Sequence, residues 1–151
     1  MPADILLALG SNLGDREQNI EKACRLLGAG VDIIRRSALY ETEPYGVTDQ
    51  PAFLNGALYG KTDLSPRLLL EFVKETEKLC GRVETFRWGP RVIDIDIVFY
   101  DNIIYNSVAL TIPHRDLCNR EFVKKPALEI IPDTERLFWK SYIKEQLKHG
   151  I

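Results

Sequence analysis

At 151 residues the chain is long enough to bury a core without disulfides or a structural metal, and a single domain spanning 1–151 is expected. Apolar residues make up 45% and charged residues 28%, a globular balance that excludes a disordered or fibrous chain. A net charge of -2 argues against nucleic-acid or membrane-surface binding, which needs a strong basic excess, and leaves room only for a local basic cluster that holds a small anion.

Along the chain, "DILLALG" ending at Gly10 reads as a buried first strand. An amphipathic helix follows, with Ile20, Ala23, Cys24 and Leu27 at helical spacing, Asp15 and Glu17 in its first turn, and Gly28 and Gly30 as the stop. "VDIIRRSALYET" is predicted to be a second strand closed by the turn residues of "EPYG", and "FLNGALYGKT" a third. "SPRLLLEFVKETEKLCG" carries the marks of a second helix: Ser65 as N-cap, Pro66 at the first helical position, Gly81 at the end. "RVETFRWGPR" has no period and is expected to be an exposed, mobile loop. "VIDIDIVFY" is the fourth strand, Asp101 and Asn102 a tight hairpin turn, and "IIYN" a short return strand. The remainder is punctuated by Pro113, Pro126 and Pro132 and ends in a helix over "FWKSYIKEQLKHG", whose Phe138 and Trp139 are read as core rather than as an association surface.

Strand, helix, strand, strand, helix, strand is the order of the ferredoxin-like split βαβ unit. The expected fold class is therefore α+β: a ferredoxin-like antiparallel sheet, helices packed on one face, the other face free to build a site. The cysteines, Cys24, Cys80 and Cys118, lie far apart without CxxC spacing, which indicates neither a zinc site nor a disulfide framework. No basic leader and no long apolar run opens the chain, so a cytoplasmic location is expected.

The unusual feature is "RWGPRVIDIDIVFY", a strand that carries aspartate at alternate positions. Asp94 and Asp96 share a face, about 6–7 Å apart, while Ile93, Ile95 and Ile97 take the other. Adjacent like charges repel unless a cation neutralises them, and hard oxygen ligands without thiolates favour magnesium; a solvated sheet face is the plainer alternative. Arg82, Arg87 and Arg91 upstream, with His114, Arg115 and Arg120 downstream, could bring guanidinium forks to the same face, as phosphoryl transfer requires. Singly, each of these arginines is better read as a surface residue. His114 could be a general acid, a phosphate ligand or a structural histidine. Phe53 and Phe122 are either core or, beside Asn55, a pair that sandwiches a flat heterocycle. "GSNLG" matches neither dinucleotide nor P-loop spacing and reads as a turn before a helix.

With these residues in view, the sequence resembles the 6-hydroxymethyl-7,8-dihydropterin pyrophosphokinase family of folate biosynthesis. "RWGPRVIDIDIV" is similar to its signature, and "LALGSNLGD", "YETEPYG", "QPAFLNGAL", "LCGR" and "IPHRDLCNREFVKKPALEIIPD" extend the likeness over roughly residues 5 to 133. The resemblance implies transfer of pyrophosphate from ATP to the hydroxymethyl group of the dihydropterin, without a covalent enzyme intermediate. By that resemblance Asp94 and Asp96 hold two magnesium ions, and Arg82 and Arg91 stabilise charge during the reaction. Arg87 and Trp88 belong to a loop that closes over the triphosphate. Phe53 and Phe122 stack on the pterin while Asn55 and the backbone of Thr42, Pro44, Tyr45 and Gly46 read its edge. His114, Arg115 and Arg120 bind phosphates, and Thr111, Ile97, Glu77 and Lys74 surround the nucleoside. Lys74 stands where an amide is common in the family, and "VETF" makes the loop short. Partners are then the small molecules alone, and a monomer is expected. A metabolite-sensing module of the same fold, and single-phosphoryl or nucleotidyl transfer, are the competing classes; the first has no need of paired aspartates, and the others differ in product.

Overall fold

The computed structural model describes residues 1–43, 49–83, 90–114 and 121–149. Its central element is strand β1 (Ala3–Ser11), buried at every position. Alternation sends Ile5, Leu7 and Leu9 into one apolar layer and Leu6 and Ala8 into a second on the opposite face. A strand covered on both sides has no polar face to display, which explains the unbroken apolar run in the sequence.

Helix α1 (Arg16–Leu27) begins at Asp15, whose carboxylate accepts the Gln18 N–H, and buries Ile20, Ala23, Cys24 and Leu27. After strands β2 (Asp32–Arg36), β3 (Tyr40–Thr42) and β4 (Phe53–Thr62) comes helix α2 (Pro66–Leu79), capped by the Ser65 hydroxyl and opened by Pro66. Strand β5 (Asp94–Tyr100) completes the sheet. All pairings are antiparallel in the order β2-β4-β1-β5, with β3 alongside β4. With β1, β2, β4 and β5 as its strands, that is the expected ferredoxin-like arrangement, and α1 and α2 pack on the face formed by Ile5, Leu7, Leu9, Leu58, Ile95 and Ile97.

The segment expected to form one second strand is divided into β2 and β3. Arg36 pairs with Leu58 and Tyr40 with Asn55, so three residues on one side face two on the other. Ser37 absorbs the extra residue: its N–H donates to Ala57 O at 3.0 Å and its hydroxyl accepts the Ala57 N–H at 2.8 Å. The return strand is also different. Asp101, with φ 46°, donates its N–H to Asp4 O and accepts the Asp4 N–H on its carboxylate, both at 2.7 Å, which turns the chain across the end of β1. Residues 105–106 therefore form β6 (Tyr105–Asn106), paired with β7 (Thr111–Ile112) in a separate ribbon.

A helix α3 (Glu121–Ile130) forms despite Pro126, whose missing N–H and ring clash cost about 3 kcal/mol in a helix interior. Burial of Val123, Ala127 and Ile130 against the sheet offsets that cost, since each fully buried aliphatic contributes roughly 1.5–3 kcal/mol. The final helix, α4 (Trp139–His149), is where the sequence placed it. Trp139 is core as expected: its ring stacks on Phe99 at 5.1 Å and 7°, and its Nε1 donates to Asp101 O at 2.6 Å. The second face is thus not wholly free. Helices α3 and α4 cover the end carrying Leu6, Tyr59 and Phe99, and leave the end carrying Asp94 and Asn55.

Candidate active site

The register assembles the site on the uncovered end. Asp94 lies opposite Gly10, Gly10 opposite Asn55, and Asn55 opposite Tyr40; Asp96 lies opposite Ala8 and Phe53 opposite Thr42. Residues paired directly across strands share a face. Asp94, Asp96, Phe53, Asn55 and Thr42 therefore rise from one floor, with the carboxylates about 10 Å from Asn55, two strand spacings away. Between them β1 contributes only Gly10 and Ala8. A Cβ on Gly10 would sit 3.0 Å from Asn55 Oδ1 and 3.5 Å from Phe53 Cδ1, so the floor is closely fitted there.

At the amide end, Asn55 is buried and its Nδ2 donates to Thr42 Oγ1 at 2.6 Å, which fixes the amide's orientation. Strand β3 is held in place by α3 on the same face, because Glu129 accepts the Ala38 N–H and the Tyr40 hydroxyl, and Lys125 sits over the Tyr40 ring at 5.0 Å. Phe53 is half-buried on the floor, and Phe122 is half-buried against the α3 and α4 layer.

At the acidic end, burial, together with the neighbouring Asp96 charge, pushes the Asp94 carboxyl up to about 6, while Arg82 acts in the opposite direction. Arg82 Nη1 lies 3.2 Å from Asp94 Oδ1 and 2.7 Å from Glu77 Oε2. His114 Nε2 lies 3.6 Å from Asp96 Oδ1, and the His114 N–H donates to Val98 O at 3.1 Å. Among the described residues no group of three metal-ligating side chains forms a ready cage. Two carboxylates on an open floor suit an ion that keeps waters and takes its other ligands from phosphate, as magnesium does.

Other expected site residues fall differently. The Ile97 side chain points into the core beneath α1 and α2, because odd positions of β5 alternate away from the aspartates; only its backbone remains for a nucleoside. Glu77, expected beside the nucleoside, is 2% exposed, and its carboxylate is engaged inside the protein. Lys74, half-exposed, lies 3.3 Å from Glu77 Oε1. Thr111, on β7, is half-buried. Pro44, Tyr45, Gly46, Arg87, Trp88, Arg115 and Arg120 lie outside the described residues.

Asn12, which the sequence places in a turn before the first helix, ties the site together. Its Nδ2 donates to Gln50 Oε1 at 2.9 Å and Pro51 O at 3.1 Å, and its Oδ1 accepts the Arg91 N–H at 2.8 Å. Its own N–H donates to Arg91 O at 3.0 Å, so the approach to β4 and the approach to β5 meet on one side chain. The signal was a polar residue placed directly after a strand with no exposed position.

A ferredoxin-like sheet with paired acidic residues, adjacent cations and a buried amide on one floor is an α+β arrangement suited to binding a phosphate-bearing ligand beside a flat polar one. The comparison with known families makes the assignment specific: residues 6–132 match the model of 7,8-dihydro-6-hydroxymethylpterin-pyrophosphokinase (HPPK), and the chain belongs to that family. It is 41% identical over 143 residues to the 2-amino-4-hydroxy-6-hydroxymethyldihydropteridine pyrophosphokinase of Aquifex aeolicus, covering 95% of this chain and 89% of that one. It is 44% identical over 129 residues to the mitochondrial folate synthesis bifunctional protein of Pisum sativum, covering 85% of this chain and 25% of that protein. The chain thus spans about a quarter of the length of the bifunctional plant relatives it matches. Among solved structures, wild-type HPPK-DHPS of Plasmodium falciparum superposes with a TM-score of 0.68 at 16% identity, over 100% of this chain and 47% of that one, a likeness of fold. Among the described residues no helix is long and apolar enough to cross a membrane.

Proposed function

We propose that this protein transfers pyrophosphate from ATP to the 6-hydroxymethyl group of 7,8-dihydropterin in folate biosynthesis, giving AMP and the pterin diphosphate. The observation that carries this reading is the shared floor: an acidic half suited to a metal-bound triphosphate and an amide half suited to a flat heterocycle, separated only by Gly10 and Ala8. Reactants held side by side on one rigid sheet lose little further freedom on reaching the transition state.

Asn55, oriented by Thr42, reads the edge of the pterin, with the backbone of Pro44, Tyr45 and Gly46 beside it, and Phe53 and Phe122 supply the stacking surfaces. Asp94 and Asp96 are the residues that would hold magnesium, two ions being the expected number. An ion held there would supply neutralisation of the phosphate charge and would ease loss of the hydroxyl proton. Arg82 and Arg91 stabilise charge on the transferring group, and His114, Arg115 and Arg120 hold the phosphates from the other side. Lys74 and Thr111 flank the nucleoside with the backbone of Ile97. Arg87 and Trp88 complete the set of residues that bind the triphosphate. The pterin oxygen attacks the β-phosphorus in line, with AMP leaving.

Product analysis tests this. Protein, ATP, magnesium and 6-hydroxymethyl-7,8-dihydropterin are incubated and the nucleotides separated. AMP formed in step with a diphosphorylated pterin is the expected result. ADP would make it an ordinary kinase, pyrophosphate a nucleotidyl transferase, and magnesium-independent nucleotide binding that survives Asp94→Ala a sensing module.

A further inference from the structure

Glu77 lies on the buried stripe of α2 with Leu69, Val73 and Thr76, and is 2% exposed. A carboxylate so enclosed is costly unless its charge and lone pairs are matched. Here they are matched by residues that lead to the site. Glu77 Oε2 accepts the Ile95 N–H at 2.8 Å, between the two aspartates on β5, and lies 2.7 Å from Arg82 Nη1 in an ion pair.

The end of α2 delivers Arg82 to that position. Gly81, at φ 95°, donates its N–H to Lys78 O at 2.9 Å, and Arg82 donates its backbone N–H to Glu77 O at 3.1 Å. This is the paired 5→2 and 6→1 pattern of a Schellman stop, which folds the residue after the glycine back over the helix. The same Nη1 that meets Glu77 also meets Asp94, at 3.2 Å. Of the two carboxylates, that of Glu77 is enclosed, whereas the Asp94 side chain is 34% exposed. The Arg82 contact to Asp94 is therefore the one that can be exchanged.

We propose that Glu77 is a positioning residue: it anchors Arg82 at the start of β5, where the guanidinium neutralises Asp94 in the cation-free enzyme and stays tethered beside the reacting phosphates once a divalent cation is bound. The kinetic consequence rests on the pyrophosphoryl-transfer reading; the binding consequence does not. Glu77→Gln keeps a carbonyl acceptor for the Ile95 N–H but removes the charge that competes with Asp94 for Arg82. The guanidinium then rests on Asp94, and a divalent cation meets a stronger competitor.

The test is a double-mutant cycle of Glu77→Gln and Arg82→Met, read by kcat and KM and by Mn²⁺ titration of nucleotide-free protein. The expected result is a kcat lowered about 30-fold or more by Glu77→Gln, KM within threefold, and Mn²⁺ bound severalfold more weakly, with both effects absent in the Arg82→Met background. Effects of the same size in both backgrounds would show that Glu77 acts through its field or its packing, and would overturn the proposal. A second measurement needs no Glu77 variant. The Arg82 Nη resonances of the parent protein, assigned by their loss in Arg82→Met, should stay resolved when magnesium is added, because Glu77 still hinders rotation. Their collapse on adding magnesium would mean that Asp94 alone had held the guanidinium. The metal titration and the resonances decide the matter whatever acceptor the enzyme uses.

Discussion

Asp94 carries a cost in stability that its proposed role as a metal ligand would offset. Its folded-state carboxyl titrates at about 6, above the ordinary 3.8, because burial and the Asp96 charge disfavour ionisation. The folded protein therefore binds this proton more tightly than the unfolded chain does. Both states are protonated below about pH 4; the penalty builds between there and about 6 and is fully present above. Asp94→Asn should accordingly stabilise the metal-free protein at pH 7.5, by about 1 kcal/mol after allowing for solvent screening of a partly exposed side chain, or roughly 2–4 °C in Tm. The gain should shrink as the pH falls from 6 to 4, while cation binding is lost throughout. Thermal melts across that range check it, and a gain that grew toward low pH would contradict the assignment of the strain to Asp94. The residues on this floor were legible because alternation alone places Asp94 and Asp96 together. Glu77 was less so: its spacing from Leu69, Val73 and Thr76 puts it on the buried stripe, but nothing in the sequence says which cation it meets there.

The secondary-structure elements divide along the same line. β1, α1, β4 and α2 were readable nearly to the residue because caps and periodicity agree over long segments. The exceptions arise where tertiary partners overrule local pattern. The bulge at Ser37 answers to the register of β4, β6 pairs with β7 because Asp101 is claimed by Asp4, and α3 survives Pro126 through the sheet beneath it. The most consequential element boundary is the stop of α2. Gly81 holds a backbone conformation that a side chain strains by about 1 kcal/mol, and it is the hinge that returns Arg82 to Glu77. Gly81→Ala should cost about that much stability, yet lower kcat more than tenfold by misdirecting Arg82. Denaturant melts and steady-state kinetics separate the two effects; a kcat loss no larger than the stability loss explains would deny the stop its role.

At the scale of the whole molecule, the sheet separates two apolar layers, and β1 at its centre feeds both. Ile5, Leu7 and Leu9 belong to the layer of α1 and α2; Leu6 and Ala8 belong to that of α3 and α4. Because β1, β4 and β5 each supply side chains to both layers, neither layer can open far without exposing the other, and the chain should unfold as a single domain. Cys24 reports on this from the first layer: it is 6% exposed, and burial pushes its thiol up, so it reacts only when the protein opens. Trp139 lies in the second layer, stacked on Phe99 and hydrogen-bonded to Asp101 O. Trp139→Ala should cost about 3–5 kcal/mol, as large-to-small core substitutions do. In a cooperative domain that loss raises the open population more than 100-fold, and Cys24 labelling, followed by mass spectrometry under conditions where reclosing outpaces reaction, should accelerate by the same factor. Labelling that kept its parental rate while α4 detached would mean that the two layers are separate cooperative units and that the strands between them transmit no stability from one face of the sheet to the other.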